Sequence, residues 1–212
     1  MKRAVIQIRK EKLQLLADKA IYWPAQKTLI IADLHLGKAM HFRRAGIAVP
    51  GGVEQLNLQR LEDLIIRTRP MEVLLLGDLF HSELNSSWKG FVELRAKHTS
   101  MKFTLVTGNH DVLEPEYYIE ADIELMPTLD RGPFHFTHHP AEHPSLYNLA
   151  GHIHPGIRMV GKAKQTMQLP CFFFGKDAGI LPAFGGFTGL YRMKRKEADR
   201  VFVTVQGGVL RV

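Results

Sequence analysis

Val73-Leu74-Leu75-Leu76 is a short apolar run after Pro70, and Gly77-Asp78 follows it directly. Its length and uniform apolarity read as a fully buried strand. In an open α/β sheet, ligands bind at the carboxyl ends of the strands. Such a strand therefore carries Asp78 to the edge where chemistry is done. Other stretches end the same way: Asp33-Leu34-His35 upstream, then Gly108-Asn109-His110-Asp111, His138-His139-Pro140 and Gly151-His152-Ile153-His154 downstream.

The surrounding order supports an α/β class. Thr28-Leu29-Ile30-Ile31-Ala32 reads as a buried strand ending at Asp33. Gly51 to Arg69 predicts a helix, with Val53, Leu56, Leu61, Leu64 and Ile65 near one face and Pro70 closing it. Ser86-Ser87 marks the N-cap region of a second helix that turns Trp88, Phe91, Val92 and Leu94 inward. Phe103 to Val106 is the next strand, ending at Gly108. Ala4 to Ile8 and Leu13 to Ala20 read as strands around a polar turn. After Asp111 the pattern changes to strands joined by turns: Ile123 to Met126, Phe134 to Thr137, Met167 to Phe174 and Val201 to Val205. Gly207-Gly208 predicts a hairpin turn before Val209 to Val212. No repeat, low-complexity tract or linker divides the chain, so one domain over residues 1–212 is expected. The residues by themselves give α/β followed by a β-rich half.

The motif residues suit a pair of metal ions. A carboxylate has two oxygens, so Asp78 can bridge two cations. Asp33 and His35 lie two apart, as do His152 and His154. In an extended backbone each pair would project to one side. Two divalent ions about 3.5–4 Å apart can clamp a phosphate and stabilise both attacking and leaving oxygens. Mixed imidazole and carboxylate ligands suit manganese, iron or zinc. One Asp-x-His pair is a weak signal; five such motifs, each closing an apolar stretch, are a strong one.

The order Asp-x-His, Gly-Asp, Gly-Asn-His-Asp, His, Gly-His-x-His resembles the calcineurin-like metallophosphoesterases. Ala32 to Lys38, Phe42 to Gly46 and Leu181 to Gly189 further resemble the PdeM group, described as ligase-associated DNA damage response endonucleases. The resemblance implies a four-layer sandwich of two mixed sheets flanked by helices. It implies Asp33, His35 and His154 on one metal, Asn109, His138 and His152 on the other, and Asp78 bridging, with manganese the expected ion. It implies His110 as the catalytic histidine, with Asp111 orienting its ring. At the fourth motif His138 is preferred over His139, because it directly closes Phe134 to Thr137. The implied activity is metal-dependent hydrolysis of phosphodiesters in single-stranded or damaged DNA, in repair beside a ligase or helicase. The alternative is a phosphoesterase for a nucleotide or other small phosphodiester. A scaffold that has lost its metals is disfavoured by the complete ligand set.

Charge bears on the partner. The net charge of +7 favours an anionic one, nucleic acid first. Lys38, Arg43 and Arg44 are the candidate phosphate contacts, whereas Arg192 to Lys196 reads as a solvated turn. His41, His81, His98, His135 and His143 read as surface or structural residues, and Phe172 to Phe174, Phe184 and Phe187 as core. The single Cys171 excludes an internal disulfide and fits a reducing compartment. No apolar run approaches the ~20 residues of a membrane span, and a cytoplasmic location is expected.

Overall fold

In the computed structural model of the chain, residues 3–38, 42, 46, 52–80, 84–161 and 165–212 are described. Two mixed β-sheets face each other, as the fold class requires. The first holds seven strands in chain order: β1 (Ala4–Ile8), β2 (Glu11–Leu16), β3 (Ala20–Trp23), β4 (Thr28–Ile31), β5 (Glu72–Leu76), β6 (Lys102–Val106) and β7 (Glu124–Met126). β1 to β4 are antiparallel neighbours, and β4 to β7 run parallel. The parallel half needs crossovers. Helices α1 (Val53–Thr68) and α2 (Ser86–Ala96) supply two of them, and α3 (Pro115–Glu120) precedes β7. Asn85, not Ser86, caps α2, its side chain accepting from the Ser87 amide at 2.8 Å.

The second sheet holds nine strands among the described residues: β8 (Leu129–Arg131), β9 (Phe134–Thr137), β10 (Tyr147–Ala150), β11 (Pro155–Val160), β12 (Thr166–Phe174), β13 (Ala178–Ile180), β14 (Tyr191–Arg192), β15 (Arg200–Val205) and β16 (Gly208–Arg211). The period-two alternation of the parallel strands decides the layering. Leu29, Ile31, Val73 and Leu75 face the helices, where they pack with Leu61, Leu64 and Phe91. Ile30, Ala32, Leu74 and Leu76 face the other sheet and meet Phe134, Phe136, Leu149, Phe172 and Phe174. Phe172, Phe174 and Phe184 are core, as expected; Phe187 is only half-buried. Cys171 is a buried free thiol on the outer face of the second sheet, where burial raises its pKa to about 12. Buried Glu72 joins the sheets: Thr28 and Thr104 of the first and Arg131 of the second donate to its carboxylate.

Candidate metal centre

The carboxyl ends of β4 and β5 do not stop at their last ladder bonds. They continue side by side, with Asp33 N donating to Gly77 O (3.2 Å), His35 N to Asp78 O (2.9 Å) and Leu36 N to Leu79 O (3.0 Å). The backbone here is not extended. Asp33 (φ 54°), His35 (53°), Asp78 (50°), His152 (65°) and His154 (52°) are all left-handed. The two Asp/His-x-His pairs therefore reach one side by alternating left-handed kinks, not by strand periodicity. Residues in such conformations cost roughly 1–3 kcal/mol each and persist where the surroundings over-determine them.

Those surroundings are explicit. The Gly77 φ is 75°, and a Cβ there would lie 2.1 Å from His138 Nδ1. Gly108 has no room either: its Cβ would meet Asp78 Oδ1 at 2.4 Å. The His152 amide donates to both Asp33 oxygens at 3.1 and 3.0 Å, and the His110 amide to Asp78 Oδ1 at 3.0 Å. Asp111 accepts from the amides of Asp78, Leu79, Phe80 and Gly108. A carboxylate offers about four acceptor sites. Asp111 therefore clamps the Gly77 and Gly108 loops together. Burial raises its pKa to about 6, and nearby Asp78 adds to the rise, although the backbone donors oppose it.

Ligand-type atoms converge inside this frame. Asp33, His35 and His154 form one group; Asp33, Asp78 and His138 a second; His138, His139 and His152 a third. His35 Nε2 lies 3.1 Å from His154 Nε2, and His154 Nε2 lies 3.5 Å from Asp33 Oδ1. On the other side, His138 Nε2 lies 3.1 Å from Asn109 Oδ1, 3.2 Å from His152 Nδ1 and 3.3 Å from Asp78 Oδ1. The Asp78 carboxylate faces both ways, its second oxygen 3.9 Å from His35 Nε2.

Proton positions give the test of fit. His138 Nδ1 lies 3.0 Å from the Leu76 carbonyl, so Nδ1 carries the proton and Nε2 a lone pair. A ring N–H held by a backbone carbonyl is the usual support of a metal-ligating histidine. That lone pair faces Asn109 Oδ1, Asp78 Oδ1 and His152 Nδ1, a convergence of acceptor atoms that a cation would satisfy. Ligand atoms around one ion sit roughly 3.0–3.4 Å apart when metal–nitrogen bonds are about 2.1 Å, which matches the spacings above. The residues present fit divalent cations. The His152 pKa is lowered by burial and by the neighbouring His139 and His138 rings, which favours the neutral imidazole that ligation needs.

The remaining sequence candidates divide. His110 is half-buried, its ring centroid 6.1 Å from that of His35. His139 is exposed and packs against His152, ring centroids 3.8 Å apart and planes tilted by 46°, so both histidines of the fourth motif approach the centre. Lys38 is half-buried beside it; burial lowers its pKa, and Asp78 and Asp33 pull the other way. Arg43, Arg44, His41 and His81 lie outside the described residues. Residues not singled out in the sequence brace the centre. Lys19 Nζ donates to Gly185 O (3.0 Å) and Gly186 N to Asn57 Oδ1 (3.0 Å), while Gly185 N donates to Asp33 O (3.0 Å). Arg60 stacks 4.2 Å over the Phe184 ring. Nothing local marks Lys19, Asn57 and Arg60; only the fold brings them together.

His135 and His143, expected to be structural, gather with Asp130. Asp130 and His135 are register partners of β8 and β9, and His135 Nδ1 lies 2.5 Å from Asp130 Oδ1. His143 Nδ1 accepts the amides of Ser145 and Leu146, so its proton sits on Nε2 towards Asp130. Asp130 thus holds His135 directly, while His143 is occupied by the Ser145 and Leu146 amides.

Two facing mixed sheets with an Asp/His/Asn centre at the strand ends define a metallophosphoesterase class of protein. Residues 26–196 match the family of calcineurin-like phosphoesterases, and the chain belongs to it. It is similar over its whole length to the Pseudomonas putida nuclease MPE, with 31% identity, 100% of both chains covered and a TM-score of 0.85. Slighter likenesses exist to Yfce, a phosphoesterase from E. coli (13% identity, 82% of this chain and 86% of that one, TM-score 0.43). AQ665 from Aquifex aeolicus, a protein of unknown function, is comparably distant (16% identity, 60% and 78% covered, TM-score 0.42). No curated protein matches the chain. No helix of the described residues is long and apolar enough to cross a membrane.

Proposed function

We propose that this chain is a dinuclear-metal phosphodiesterase that cleaves DNA, single-stranded or damaged, as a member of the PdeM-like repair endonucleases. The observation that carries the reading is the full-length likeness to a nuclease, at 31% identity, over a chain with a complete Asp/His/Asn centre. Asp33, His35 and His154 would hold one ion, Asn109, His138 and His152 the other, and Asp78 both. When bound, the ions, manganese foremost, supply Lewis-acid polarisation of the phosphate and an activated water.

The protein's own groups do the rest. Leu76 O fixes the His138 tautomer, so that Nε2 would be the ligating atom. Asp111 locks the loops that carry Asp78 and Asn109, so the ligands are placed before substrate arrives. The half-buried His110 imidazole at the rim of the cluster gives a proton to the leaving oxygen. Lys38 meets a phosphate oxygen, which replaces the solvent it has lost.

The test is parallel incubation of manganese-loaded protein with single-stranded DNA, duplex DNA and bis-p-nitrophenyl phosphate. Cleavage of DNA is the expected result. Rapid turnover of the small ester with intact DNA would replace the nuclease reading by that of a small-phosphodiester enzyme. Inertness towards all three would overturn both.

A further inference from the structure

Beside the metal centre lies a cavity of about 270 Å³, lined among the described residues by Lys38, Phe42, Gly186, Phe187, Thr188 and Gly189. A narrow crevice shares Lys38 and Phe187 with it and runs in to His35. The pocket therefore neighbours the cluster, and Lys38 lines both spaces.

Its walls have a particular chemistry. Phe42 and Phe187 meet edge to face, ring centroids 5.6 Å apart at 77°, and both are half-buried rather than part of the core. The segment that carries Phe187 is glycine-rich: Gly186 and Gly189 are exposed, and a Cβ on Gly189 would meet nothing within 4 Å. A flat ligand can approach that backbone closely. The segment is also fixed to the metal centre. Phe184 N donates to Ala32 O (2.8 Å), Gly185 N to Asp33 O (3.0 Å) and Gly186 N to Asn57 Oδ1 (3.0 Å).

We propose that the Phe42–Phe187 pocket is a stacking subsite for the nucleobase next to the scissile phosphate, with Lys38 on the phosphate between base and metals. The proposal rests on the phosphodiesterase reading of the centre and deepens it: the substrate is nucleotidic. Aromatic corners and a cation suit a base attached to a phosphate, and the volume holds one ring system rather than a long ligand. Among the described lining residues Thr188 and Lys38 carry the polar side chains, and stacking is tolerant of sequence because every base has a π-face.

The experiment measures binding of metal-free protein to a fluorescein-labelled thymidine tetramer and to an abasic tetramer of equal charge. Equal charge holds the phosphate contribution constant. Wild-type protein is expected to prefer the thymidine tetramer by roughly five- to 150-fold, the range of one stacked base. Phe187→Leu, which keeps an apolar side chain but no π-face, should bring the two affinities within about twofold. Phe187→Trp should restore the gap, and Phe42→Ala should narrow it by an independent route. Equal binding of both tetramers by wild type, or an undiminished gap in Phe187→Leu, would overturn the subsite. A preserved preference without manganese-dependent cleavage would overturn the phosphodiesterase reading and leave the subsite standing.

Discussion

At the scale of single residues, the centre turns on which histidine faces inward. His138 is buried, with Nδ1 held by Leu76 O, whereas His139 is exposed and reaches the centre only through a tilted ring contact with His152. His138→Ala should therefore remove about one divalent ion per chain in metal analysis, and His139→Ala should leave occupancy unchanged. The reverse result would exchange their roles. His110→Ala separates chemistry from assembly: occupancy should persist while hydrolysis slows by roughly 100- to 10,000-fold, the usual range for a positioned acid or base. Loss of metal in that variant would make His110 a ligand. The sequence motifs named the residues that converge, because ligand types after apolar runs are a local signal. It misjudged how they converge. Left-handed Asp33, His35, His152 and His154 are held by partners distant in sequence, such as Gly77 O and the Asp33 carboxylate, and a local pattern cannot report such restraints.

At the scale of elements, segments of sustained apolarity or alternation were legible and several of the shortest strands were not. β4, β5, β6, β9, β12 and β15 lie where the periodicity places them, within a residue or two at each end. Leu13 to Ala20, read as one strand, is broken by a tight turn in which Lys19 (φ 65°) takes a left-handed conformation without a glycine to announce it. β8 (Leu-Asp-Arg), β13 (Ala-Gly-Ile) and β14 (Tyr-Arg) are too short for any period and are strands because neighbours complete their bonds. That same turn makes a measurable device. Burial lowers the Lys19 pKa to about 7, and Arg60 adds to the lowering. An unfolded lysine keeps its proton to about 10.4. Between those values the unfolded chain binds more protons, so this residue makes stability rise with pH, by at most about 1.4 kcal/mol per unit. Thermal melts from pH 7 to 9.5 should show wild type gaining on Lys19→Met as pH increases. Parallel curves would mean that Lys19 keeps an ordinary proton affinity.

For the whole molecule, the question is what a chain of net charge +7 holds beyond the scissile group. A small phosphodiester brings no flanking phosphates, so it feels chiefly the groups at the centre, Lys38 among them. A DNA strand presents a phosphate at every nucleotide and rewards cations away from the metals. Arg43 and Arg44 follow Lys38 closely in the chain, which makes them the first candidates for that outer grip. The argument for them is one of sequence and charge, as they lie outside the described residues. Each phosphate contact steepens the dependence of single-strand binding on salt by ~0.7 in the log–log slope. Arg43→Ala combined with Arg44→Ala should therefore flatten the slope by about 1.4 and raise the apparent KM for DNA. Turnover of bis-p-nitrophenyl phosphate should change much less. Equal losses on both substrates would instead put the two arginines within the catalytic pocket. An unchanged slope would pass the outer grip to another cationic surface, of which the exposed Arg192-Met193-Lys194-Arg195-Lys196 stretch is the next to test by the same titration.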